Sequence, residues 1–179
     1  VSEVEIDGSS GRVEHSTNTD VSSVEAAHGV RWAETDHSLP MPIDWKDELV
    51  ALAVHSSDFV DALDRELLKV TSLPAGVYTL SIDGVPAGDF TAEALASGVN
   101  LANYATPMMQ QAAEVHALTL KHNNIHFARW RTVQVPLDSS GFDNAPAESA
   151  LDSLEDQVIV AQRVAAQPKP HRFELVPKA

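Results

Sequence analysis

The sequence predicts an α+β fold: a small antiparallel β unit with a hairpin, and three main helices. Three observations predict it. Short apolar–polar alternations fill residues 1–43, the pattern of half-buried strands. The run from Leu73 to Met109 is punctuated as strand, tight turn, strand, short helix and Asn-rich loop opening a long helix. Three segments, 44–64, 106–133 and 146–166, carry apolar residues at helical spacing.

Val1, Val4 and Ile6 place apolar side chains two or three residues apart, and Asp7-Gly8-Ser9-Ser10-Gly11 is a turn. Arg12–His15, Val21–Ala27 and Val30–Ala33 follow as short strands, broken at Asn18, Thr19 and Gly29. Leu39-Pro40-Met41-Pro42 stays out of a helix, because a residue before proline is driven from the α region. Asp44 then caps a helix over 44–64, with Glu48 in its first turn and Leu49, Leu52, Ala53, Phe59, Val60 and Leu63 as its stripe.

The segment 67–98 reads as a strand (Leu67–Thr71), a turn, and a hairpin of Val77–Ile82 with Val85–Phe90. Asp83-Gly84 sits between the hairpin strands, where positive φ is required, and a bulge is expected near Gly88. A short helix opens at Thr91 and stops at Gly98. Thr106 caps the 106–133 helix and Pro107 takes its first position, where a missing N–H costs nothing. Val115, Leu118, Ile125 and Trp130 mark its apolar side. Asp138-Ser139-Ser140-Gly141 turns into the 146–166 helix, whose stripe is Leu151, Leu154, Val158, Ala161 and Val164. A short strand over 171–176 closes the chain. All of this reads as one region, 1–179.

Composition excludes several function classes. Twelve Lys and Arg against 26 Asp and Glu give a net charge of −14, a surface that repels a phosphate backbone, so no nucleic-acid partner is expected. The absence of cysteine removes disulfides, thiolate metal sites and Cys nucleophiles. No apolar run approaches the roughly 20 residues that span a bilayer. The start at Val-Ser-Glu, with neither Met nor a signal peptide, reads as a mature form, a processing product or a piece of something longer.

Several residue patterns imitate chemistry. His122 and His126 lie four apart on one helical face, a spacing that can chelate zinc, but Asn123 stands where a metalloprotease carries its Glu. Glu114 is too far along the helix to be a third ligand. His55-Ser56-Ser57-Asp58 holds the residue types of a hydrolase triad, but neighbours on a helix point apart and cannot form a relay. Asp83 and Asp89 flank the hairpin as a nominal carboxylate pair, with turn chemistry sufficient for Asp83. Trp32, Trp45 and Trp130 are scattered and read as packing residues. Asn100, Asn103 and Tyr104, with Gln110 and Gln111 at the start of the long helix, have two readings. They either satisfy backbone groups or contact a ligand or neighbouring domain. No catalytic residue and no cofactor are assigned.

Across Leu73-Pro74-Ala75-Gly76-Val77-Tyr78, Ile82-Asp83-Gly84, Gly98-Val99-Asn100-Leu101-Ala102 and Thr106-Pro107-Met108, the sequence resembles the C-terminal portion of large bacterial SGNH/GDSL-type hydrolases. The resemblance extends to Val1–Ile6, Leu39–Pro42, Arg129-Trp130-Arg131 and His171–Leu175. It implies a flavodoxin-like catalytic domain upstream, bearing a Gly-Asp-Ser block, oxyanion-hole Gly and Asn, and an Asp-x-x-His block. None of these transfers. Gly88-Asp89 continues into Phe90, Leu101 follows Gly98-Val99-Asn100 where the family has Asp, and no Asp precedes a His by three.

The chain is therefore expected to be an accessory region or subunit of an SGNH-type serine esterase, lying downstream of the machinery. Its partner is a catalytic half in the same or a co-processed polypeptide, in an extracytoplasmic setting. The alternatives are a stand-alone binding or structural module and, further off, a zinc hydrolase on His122 and His126. A missing partner predicts an exposed apolar patch of more than a few hundred Å² along the 106–133 helix.

Overall fold

The computed structural model describes residues 1–44, 46–139 and 141–178; Trp45 and Ser140, read above as a packing residue and a turn residue, lie outside them. The fold is α+β. Two compact units divide the chain, Val1–Gln110 with Pro168–Ala179, and Gln111–Gln167.

The first unit is built on two sheets. One has the order β2 (Arg12–Thr17), β1 (Ser2–Asp7), β5 (Glu66–Thr71), β8 (Val99–Asn100). The other runs β3 (Thr19–Glu25), β4 (Val30–Asp36), β9 (His171–Pro177), β6 (Val77–Ile82), β7 (Val85–Thr91). The N-terminal strands and the hairpin therefore share one architecture. Pairings are antiparallel except β1 with β5, which run parallel, the long connection between them passing through the second sheet.

Inward residues of both sheets form one core, with Val4, Ile6, Leu68 and Val70 from the first and Val30, Trp32, Leu80, Ile82, Phe173 and Leu175 from the second. Trp32 stacks on Phe173 with centroids 4.9 Å apart. β9 occupies the middle of its sheet, so residues 171–177 tie the chain end to β4 and β6. This closure needs Gly29, whose φ is +125° and whose Cβ, if present, would lie 2.2 Å from the Leu175 carbonyl oxygen. At the hairpin, Asp83 and Gly84 have φ of 53° and 80°, as a type I′ turn requires. The register slips between Leu80 and Ser81, leaving Ala87 as the extra residue of a bulge beside Gly88.

The expected 44–64 helix is two helices, α1 (Glu48–His55) and α2 (Phe59–Leu63). Asp47, rather than Asp44, caps α1, accepting from the Leu49 and Val50 N–H groups. The break falls at Ser56-Ser57-Asp58, where the Ser57 hydroxyl bonds local backbone in place of a helical ladder. α3 (Ala92–Ser97) is capped by Thr91 and ends at Gly98, and a 3₁₀ turn (Leu101–Asn103) leads to α4 (Pro107–Phe127), whose Met109 N–H is capped by Thr106.

In the second unit the expected single helix to 133 changes character. After Phe127 it becomes a π-helix, Ala128–Gln134, followed by α5 (Val135–Leu137). Pro136 explains the change: it has no N–H to give, and its ring crowds the carbonyl four residues back. The Val135 N–H bonds the Trp130 oxygen, five residues back. α6 (Ala145–Ala165) then forms the second arm of a helical hairpin.

Candidate functional site

β4 alternates Val30, Trp32, Glu34 and Asp36 toward the core, so its last two inward positions are acids. On the facing sheet, Asp64 and Glu66 lead into β5 with the same parity as Leu68 and Val70, and are buried too. Four carboxyl groups thus meet at one end of the sandwich core. Glu34 accepts from the Trp32 indole N–H at 2.7 Å and the Thr19 hydroxyl at 3.3 Å, and Asp64 accepts from the Met41 N–H at 2.7 Å. Asp36 Oδ1, Asp64 Oδ2 and both oxygens of Glu66 have no hydrogen-bond partner among the described residues.

Burial, reinforced by the charge of Asp36, pushes the Glu34 carboxyl up to about 8. The same causes, in the same order, hold Glu66 well above the carboxylate range. Burial also raises Asp64, against the pull of the Met41 N–H and the Val1 ammonium.

Across β4 and β9, Glu34 is directly opposite His171. The His171 Nδ1 pairs with Asp83 Oδ2 at 2.7 Å, and Asp83 Oδ1 accepts from the Arg172 N–H at 2.8 Å. Burial raises the Asp83 carboxyl, but the Arg172 N–H and His171 outweigh it and leave it lowered. His171 Nε2 is buried without a hydrogen-bond partner among the described residues. The pair has the orientation of an acid–base dyad, but among the described residues no nucleophile is hydrogen-bonded to Nε2.

The residues singled out in the sequence do not gather here as a ligand site. Asn100 Oδ1 accepts from the Glu66 N–H at 2.9 Å and the Ala102 N–H at 3.2 Å, while its Nδ2 donates to the Asp64 and Val60 carbonyls at 3.4 and 3.5 Å. Asn100 therefore bonds backbone on every side, and it locks the strand that carries Glu66. Tyr104 sits edge-on to Phe90 at 5.1 Å, and Asn103 and Gln110 are exposed. Gln111 is buried and donates to the Ala165 and Gln167 carbonyls at 2.6 and 2.8 Å, closing the C-terminal end of α6.

His122 and His126 both face Glu155, at 3.7 and 3.1 Å, with ring centroids 6.5 Å apart. Among the described residues, no three His, Asp or Glu side chains are arranged to hold a metal ion. Asp83 and Asp89 serve separate partners: Asp89 takes the Thr79 hydroxyl and the Lys178 ammonium, each at 2.6 Å. The hydrogen bonds to Lys178 and Thr79 lower the Asp89 carboxyl.

The hairpin of the second unit is joined by polar groups. Gln162 donates to Thr119 at 2.6 Å, Glu155 faces the two histidines, and the Arg129 guanidinium pairs with Asp152 and, at 3.2 Å, with Glu148. Several of its large apolar residues remain uncovered: Leu120, Phe127, Trp130, Leu154, Val160 and Val164 are exposed. In the first unit α1 has no buried residue, and Leu49 is 77% and Leu52 63% exposed. Among the described residues, no helix is long and apolar enough to cross a membrane.

Neither a protein-family model nor a curated protein matches the chain. Among solved structures, it is similar to BT4096, a gut microbial diltiazem-metabolizing enzyme, with a TM-score of 0.82 at 20% identity. The similarity covers 99% of this chain and 50% of that one, so the chain spans half the length of the enzyme it matches. At that identity the likeness is one of fold.

Proposed function

We propose that this chain is the accessory half of a larger enzyme, the C-terminal region or subunit of an SGNH/GDSL-type serine esterase. It packs on a catalytic half and supports or shapes the substrate cleft there. The observation that carries this reading is the fold shared along 99% of the chain with half of a longer enzyme. The exposed apolar faces of α1 and of the helical hairpin support it, since such faces lose solvent contact when a partner covers them. So does the failure of each catalytic look-alike, residue by residue. The esterase class rests on the sequence resemblance of Leu73–Met108.

In this reading the acyl transfer runs on the partner's Ser, His and backbone oxyanion hole. This chain contributes position: Asn100 holds the strand that carries Glu66, and Thr106 caps the first turn of α4. A fluorophosphonate probe tests it. We expect no label on the 179-residue chain and stoichiometric label on the catalytic half, in the complete polypeptide or co-purifying with it. Absence of label from both favours the stand-alone binding or structural module, and label on this chain refutes the accessory role.

A further inference from the structure

The four buried carboxyls carry an inference independent of any catalytic half. Glu66 is only 2% exposed, and among the described residues both of its carboxyl oxygens lack a donor, as do Asp36 Oδ1 and Asp64 Oδ2. An ionised carboxylate is acceptor-only, so ionised groups in this position would repel one another with nothing to satisfy them. A single added proton changes that, because it turns one acceptor into an O–H donor toward its neighbour.

Among the described residues no other group satisfies Asp36 Oδ1, Asp64 Oδ2 or the Glu66 oxygens. The cluster faces Glu34 and Asp36 on β4, with the Trp32 N–H beside them, and Thr19 on β3. It faces Glu66 on β5 with Asp64 before it, Ser2 opposite Glu66 on β1, and the Val1 ammonium near Asp64. From β9 it faces His171, opposite Glu34 and held by Asp83 of the β6–β7 turn; from the 37–44 loop, the Met41 N–H. Asn100 on β8 meets only backbone groups, among them the Glu66 N–H and the Asp64 carbonyl. Arg65, between Asp64 and Glu66, has the opposite parity and pairs with Glu3 at 2.9 Å. None of the four acids has an ion pair with Lys, Arg or His among the described residues, and no three of them are arranged to hold a metal ion.

We propose that the Glu34 and Glu66 carboxyls, packed against Asp36, form a clasp between the two sheets, which holds while they are protonated and loosens as rising pH removes their protons. β4 and β5 belong to different sheets, so ionisation sets like charges against each other across the sandwich. The raised Glu34 and Glu66 carboxyls agree with this and fix the direction. A carboxyl raised on folding stabilises fully below its ordinary value near 4.5, and that contribution is lost as pH rises through about 8.

Two measurements on the 179-residue chain decide the matter. Infrared spectra at neutral pH should show a protonated-carboxyl C=O band that disappears at alkaline pH while the chain remains folded. Melting temperatures, taken in high salt to screen surface repulsion, should fall by roughly 5 °C or more between about pH 6 and about pH 9. Glu66→Gln, which cannot ionise and adds a donor, should flatten that fall. A missing protonated band at neutral pH overturns the clasp even if the variant fails to fold. So does a melting temperature that ignores pH, or one that millimolar calcium raises at neutral pH, since a cation would then take the place of the protons.

Discussion

Asn100 bonds four backbone groups with one short side chain, and that occupancy sets what its removal does. Asn100→Leu leaves the Glu66 and Ala102 N–H groups without their acceptor in a half-buried site, a loss of about 1–3 kcal/mol. Urea unfolding should show that loss. Gln111→Ala should cost about 1–2 kcal/mol in the same assay by freeing the Ala165 and Gln167 carbonyls. Both residues stand out in the sequence as polar groups with two readings, backbone or ligand. Asn100 has one local partner, the Ala102 N–H at the start of the 3₁₀ turn, but the Glu66 and Ala165 partners lie 34 and 54 residues away, where no local pattern points to them. The acid cluster escaped notice for a different reason. Reading β4 as ending at Ala33 and β5 as starting at Leu67 cut Glu34, Asp36 and Glu66 off the strands that bury them. Strand propensity is low for acids, and the alternation beginning at Val30 and Trp32 was the signal that extended the strand.

Among the elements, those fixed by local chemistry were legible and those fixed by packing were not. Asp83-Gly84 specifies its turn, and Thr91, Gly98 and Thr106-Pro107 place their helix ends, because each acts on backbone within a few residues. The parallel β1–β5 pair and the central place of β9 depend on contacts made across the whole unit, which no local pattern carries. The helical stripe from Leu151 to Val164 was visible, but its direction was not. Val158 is half-buried, whereas Leu154 is exposed and Val164 is 66% exposed. Polar side chains occupy much of the seam with the neighbouring helix instead. Replacing Val160 and Val164 by Glu should therefore leave the stability of the chain alone within about 0.5 kcal/mol for each site. If this face meets the catalytic half, the same double variant should fail to hold that half in a pull-down, while the wild-type chain retains it.

At the scale of the whole molecule, the charge of −14 and the exposed apolar residues act in opposite directions. Net charge opposes self-association, whereas uncovered apolar faces favour it, and salt shifts the balance by screening only the charge. Alone at low ionic strength, the chain should remain monomeric and bind a hydrophobic dye such as ANS through Leu49, Leu52 and the hairpin residues. Raising the salt should drive concentration-dependent association, measurable by analytical ultracentrifugation. In the complete assembly the proposed catalytic half covers those residues, so dye binding and salt-driven association should both fall together. Dye binding that persists undiminished beside a stably bound catalytic half would place the contact elsewhere on the sandwich. Because α1 lies in one unit and the hairpin in the other, Leu49→Glu with Leu52→Glu and Val160→Glu with Val164→Glu separate their contributions. The pair whose variant keeps the dye signal of the free chain low yet still captures the catalytic half is the face that the partner does not use.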